Sequence, residues 1–113
     1  MNGVQEGQIR IRVSTLLEVV GKTALGVQGV RSDFDHILRQ SRVLVNGENQ
    51  ATHERIPLEE KGVVVVVPLK LSEDSSFIAV AQEVQKKVWE TVHRELGLSL
   101  RGVNIEVNEI EWV

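Results

Sequence analysis

The run GVVVVVPLKL, residues 62–71, places five valines side by side and constrains the fold more than any other segment. Its unbroken apolar part, Gly62 to Leu69, is far short of the roughly 20 residues that a membrane-spanning helix needs. Valine fits the pleated surface of a sheet, so the run is expected to be a strand. Alternation then puts Val63, Val65, Val67, Leu69 and Leu71 on one face and Val64, Val66, Pro68 and Lys70 on the other. The first set predicts a core face beneath helices, each side chain stabilising the fold by roughly 1.5–3 kcal/mol. Pro68 lacks an N–H, which predicts an edge or a bulge beside it.

The flanking sequence supplies the partners for such a strand. Gln8 to Val13 alternates, with Ile9, Ile11 and Val13 on one face and Arg10 and Arg12 on the other, which predicts a first strand. Thr15-Leu16-Leu17-Glu18 has the spacing of a capping box, and Leu16, Val20, Ala24 and Val27 continue at helical intervals. Gly29 is expected to end that helix, with Gly26 in its last turn. A short helix is predicted over Phe34 to Gln40, capped by Ser32 or Asp33, and Arg42 to Val45 running into Asn46-Gly47 signals a hairpin. Residues 48–61 read as a loop or a ragged hairpin arm. Phe77, Val80, Ala81, Val84, Val88, Val92 and Leu96 draw the apolar face of a long helix. Its polar side offers Glu83–Lys87 and Glu90–Arg94 pairs, and Gly97 is placed to stop it. Val103 to Asn108 alternates as a last strand whose phase slips near Glu109-Ile110, a bulge or the strand's end.

This order predicts an α+β two-layer sandwich, β-α-β-β-α-β, with about four strands in the sheet and two main helices on one face. Residues 8–113 are expected to form a single domain behind a flexible tail, residues 1–7. With 113 residues, 42% hydrophobic and 26% charged, the chain can bury a core unaided. It contains no cysteine, which excludes disulfides, thiolate nucleophiles and Cys-ligated metals. Met1 to Arg10 has no apolar core of a signal peptide. A net charge of -3 argues against a general nucleic-acid binder, whose affinity depends on cations that neutralise phosphates.

No motif defines a chemistry. Gly21-Lys22-Thr23 resembles the end of a phosphate-binding loop, but Leu16 stands where that loop requires glycine. Asp33, Asp35 and His36 are close in sequence without a second set of ligands, and His53 and His93 lie at no metal-binding spacing. Asp33 is better read as a helix cap. No nucleophile, base and acid are placed together, and aromatic residues make up only 4% of the chain, too few for the usual lining of a small-molecule pocket. Catalytic, cofactor and metal residues are accordingly expected to be absent.

Two binding surfaces can be drawn. Val64 and Val66 form an apolar stripe on the sheet face away from the helices, and Arg10 and Arg12 are expected to rim it as an association surface. Alternatively, valine simply suits a strand there, or residues 48–61 cover the stripe. The second surface is Gly26-Val27-Gln28-Gly29, a G-x-x-G element between two helices, flanked by Lys22 and Arg31. It is similar to the backbone-clamping loop of KH-type RNA-binding modules. A helix that merely terminates on glycine explains it as well.

LLEVVGKTALGVQGV (residues 16–30), the valine run, FIAVAQEVQKKVWETVHRELGL (77–98) and VNIEVNEI (103–110) together resemble the alkaline-shock-protein, or envelope stress response, family of bacteria. The resemblance covers nearly the whole chain. It is most specific near the end, where an A-x-x-V-Q helix, a GL stop and a VNI-x-V strand follow in order. It implies a small, non-enzymatic cytoplasmic protein that self-associates and lies near the membrane through a separate anchored partner. The family carries no active-site residues over to this chain. Two departures are a longer, more charged segment between the first helix and the valine run, and the absence of the Tyr-Gly expected near Leu71-Ser72.

Overall fold

A computed structural model describes residues 7–112. Apart from Gly7, the expected tail lies outside the described residues. The elements are β1 (Arg10–Arg12), α1 (Val13–Leu25), α2 (Phe34–Gln40), β2 (Arg42–Val45), β3 (Glu48–Gln50), β4 (Arg55–Pro57), β5 (Val63–Ser72), α3 (Phe77–Leu96) and β6 (Gly102–Glu111). Four strands form one sheet in the order β3-β2-β5-β6, and β1 pairs with β4 in a separate two-stranded sheet. The α+β sandwich is as expected, but the first strand does not belong to its main sheet.

The valine strand is the axis of the molecule. Val63, Val65, Val67, Leu69 and Leu71 are all at most 1% exposed and pack with Leu16, Val20 and Ala24 of α1 and Val80, Val84, Val88 and Val92 of α3. On one side β5 pairs antiparallel with β2, from Val45↔Val63 to Arg42↔Val66. On the other it pairs parallel with β6, α3 being the crossover that a parallel pair requires. The β2 ladder ends at Val66, so Pro68 falls where that side of β5 no longer needs a donor. Leu69 faces Val107 whereas Lys70 faces Glu109, which makes Asn108 the extra residue of a bulge; the strand then continues to Glu111.

Local signals explain most element ends. Asn46 and Gly47 both have positive φ, 51° and 85°, and join β2 to β3 as a two-residue hairpin turn. Asp33 caps α2 by accepting from the His36 N–H at 2.8 Å. Gly97, at φ 75°, stops α3 and donates its N–H to the His93 carbonyl. The Glu83–Lys87 pair forms at 3.8 Å, whereas Arg94 turns to Glu95 instead of Glu90.

The start of α1 departs from the sequence reading. Val13 is the first helical residue, not the end of a strand, and Thr15 caps nothing. Arg12 occupies the cap position without a side-chain cap bond. In place of one, the Val13 and Ser14 amides donate to the Glu54 and Thr52 carbonyls at 2.8 and 3.0 Å. The turn before β4 thus satisfies the first amides of a helix that begins two residues before the predicted capping box. At the other end α1 stops at Leu25, with Gly26 as its cap, so Gly29 lies beyond the helix.

Candidate interaction surfaces

The sheet face away from the helices is shaped by strand register. Val64 is flanked by Leu44 of β2 and Gly102 of β6; all three are half-buried, and Gly102 has no side chain to cover its neighbour. Val66 is flanked by Arg42 and Asn104 and is only 3% exposed. Arg42 and Glu106, on opposite sides of β5, approach to 3.6 Å and reach across the central strand over Val66 and Pro68. Both side chains are about half exposed, so the ion pair itself contributes roughly 0–1 kcal/mol. Its larger effect is to lay aliphatic stems over the valine.

The expected stripe therefore needs correcting. Arg10 and Arg12 sit on β1, in the other sheet, so they do not rim Val64 and Val66 as strand neighbours. Of the two valines, only Val64 retains appreciable exposure. Residues 48–61 do not supply the flanking strands of this stretch, since those are β2 and β6.

The Gly26–Gly29 loop is tied into the fold. The Gly26, Val27 and Val30 amides donate to Thr23, Ala24 and Val27 carbonyls, and the Ser72 amide donates to the Gly29 carbonyl at 2.9 Å. Gly29 has φ +102°, and a Cβ there would stand 2.8 Å from Val80 Cγ2. Packing and backbone conformation thus account for this glycine without a nucleic acid. Gly29→Ala is expected to destabilise the protein by about 2 kcal/mol, read as a lower thermal midpoint. An unchanged midpoint would show that neither φ nor Val80 constrains the position. The flanking cations line different clefts, Arg31 also lining one with Gln28 and Gly29. Lys22 lines a cleft of about 490 Å³ between α1 and α3. Arg31 lines a different cleft and pairs with Glu111 at 3.6 Å.

The other singled-out residues have structural roles or none. Lys22 and Thr23 lie in the last turns of α1, and the Thr23 hydroxyl donates to the Val19 carbonyl at 2.7 Å. The described residues contain no group of three or more His, Asp or Glu able to hold a metal ion. Among them no helix is long and apolar enough to cross a membrane.

One surface was not singled out in the sequence. β6 is an edge strand of ten residues with no partner strand on its outer side among the described residues. Exposed apolar side chains accompany it: Val107, 40% exposed, on the strand itself, and Trp112, 72% exposed, just beyond. At the other end α3 holds it, Gln85 donating to the Val103 carbonyl and Trp89 to the Leu100 carbonyl. The alternation of residues 103–108 marked the strand, but only the sheet order could show which of its edges is open.

Taken together, these features define a small two-layer α+β module whose distinguishing surfaces are a long strand edge and an ion-paired sheet face. The chain belongs to the alkaline shock protein family, described as having a cell envelope-related function, which matches residues 2–112. No curated protein and no solved structure gives a significant match to it.

Proposed function

We propose that the protein is non-enzymatic and serves the cell envelope under stress by self-association and by docking to a membrane-anchored partner. In this reading it is cytoplasmic and held near the membrane by that partner. The observation that carries it is the β6 edge, a ten-residue strand open on one side. Such edges pair readily with other chains unless they are short, covered or interrupted, and the bulge at Asn108 leaves Gly102 to Val107 as the uninterrupted part of this one. The family's cell envelope-related description supports the setting. An RNA-contact role for the Gly26–Gly29 loop has less support, because the Gly26 and Val27 amides are already bonded to α1 and the Gly29 carbonyl accepts from Ser72.

Sedimentation velocity over a range of concentrations tests the first part. The weight-average sedimentation coefficient is expected to rise with concentration at low salt. A monomer throughout that range would end the self-association reading.

A further inference from the structure

The open edge of β6 is matched by another on the same chain. β1 pairs only with β4, so its second side also lacks a partner strand among the described residues. The stretch Ile9-Arg10-Ile11-Arg12 leads with Ile9, 72% exposed, and its two arginines are exposed and take part in no ion pair among the described residues. Ile11 lies opposite buried Ile56 and packs against the core. Ile11 therefore turns inward, Ile9 stays exposed just ahead of it, and the two arginines face outward.

β6 has the complementary pattern. Glu106 and Glu109 lie opposite Pro68 and Lys70 on the outer face of the sheet, while Ile105 and Val107 lie opposite Val67 and Leu69 on the helix-side face. We propose that β1 of one copy, extended by Ile9, adds to the open edge of β6 in a second copy. Such pairing joins the two-stranded sheet of one molecule to the four-stranded sheet of the next. This deepens the self-association reading above and rests on it.

Charge selects this occupant over the symmetric alternatives. Pairing β6 with a second β6 sets carboxylates against carboxylates, and pairing β1 with a second β1 sets arginines against arginines. Like charges across strands are destabilising and opposite charges stabilising. In the mixed pairing Arg10 and Arg12 share a face with Glu106 and Glu109, and Ile9 and Ile11 share one with Ile105 and Val107. Because the two surfaces differ, the contact is head-to-tail and builds rings or open chains rather than closed two-fold dimers. The strand is short, so each contact is weak and salt-sensitive.

Charge reversal tests the pairing. Arg10→Glu with Arg12→Glu, and separately Glu106→Lys with Glu109→Lys, are each expected to weaken association about tenfold or more at low salt. A mixture of the two variants offers opposite charges at both contacts and should regain wild-type association. Circular dichroism checks folding. If the Glu106 change costs the fold through loss of Arg42, Glu109→Lys alone replaces that variant, since Glu109 has no ion pair among the described residues. Variants that associate like wild type, or a mixture that stays dissociated, would overturn the pairing while leaving self-association through another surface intact. A wild-type protein that never associates would end both.

Discussion

Leu69→Ala is expected to lower the free energy of unfolding by about 2–5 kcal/mol, the cost of a buried leucine plus the cavity left behind. Leu69 is 1% exposed and lies on the helix-side face of β5, opposite Val107. It belongs to the buried cluster that joins both main helices to the sheet. Little can relax into the gap, because β5 is fixed by β6 on one side and Val67 and Leu71, its neighbours along the strand on that face, are equally buried. Urea denaturation measures the loss as a lower midpoint with an unchanged slope. A loss below about 1 kcal/mol would mean that this face is not the centre of the core. Domains have only about 5–15 kcal/mol to lose, so the substitution removes a large share.

Ile56→Ala is expected to cost about 2–4 kcal/mol, and its effect should not stay local. Ile56 is 2% exposed although it belongs to β4, a strand of three residues facing Ile11 of β1. Both strands are too short to persist alone, so the isoleucine anchors the small sheet to the main core. The same segment supplies the Glu54 and Thr52 carbonyls that receive the first amides of α1. Loosening β4 therefore uncaps a helix. Hydrogen exchange should show faster exchange of the Val13 and Ser14 amides in the variant, beyond any global change. Unchanged relative protection at those two amides would separate the small sheet from the start of the helix.

Much of the fold was legible because its signals are local. Alternation in the valine run, the Asn46-Gly47 turn, the Asp33 cap and the Gly97 stop each depend on a few adjacent residues, and each stands where those residues placed it. The misreadings come from distance. Nothing in Gln8 to Val13 indicates that this strand prefers Arg55–Pro57 to the valine strand. Thr15-x-x-Glu18 has the right spacing for a cap, yet carbonyls some forty positions away satisfy α1 instead. The interaction surface was hardest to read. Val66 looked exposed by alternation, and it is covered because Arg42 and Glu106, far apart in sequence, meet across it.

The crossover between β5 and β6 also governs how the sheet is assembled. β2 reaches β3 through a two-residue turn, a closure that loses little chain entropy. The parallel neighbour of β5 arrives only after the twenty residues of α3 have been laid over the sheet. Contacts between segments so widely separated form slowly compared with local ones. Val63 to Val66 meet β2 across 18 to 24 positions of chain, and Val64 to Val67 meet β6 across 38. The β2 side is therefore expected to pair first, with the docking of a helix timing when the other side is closed.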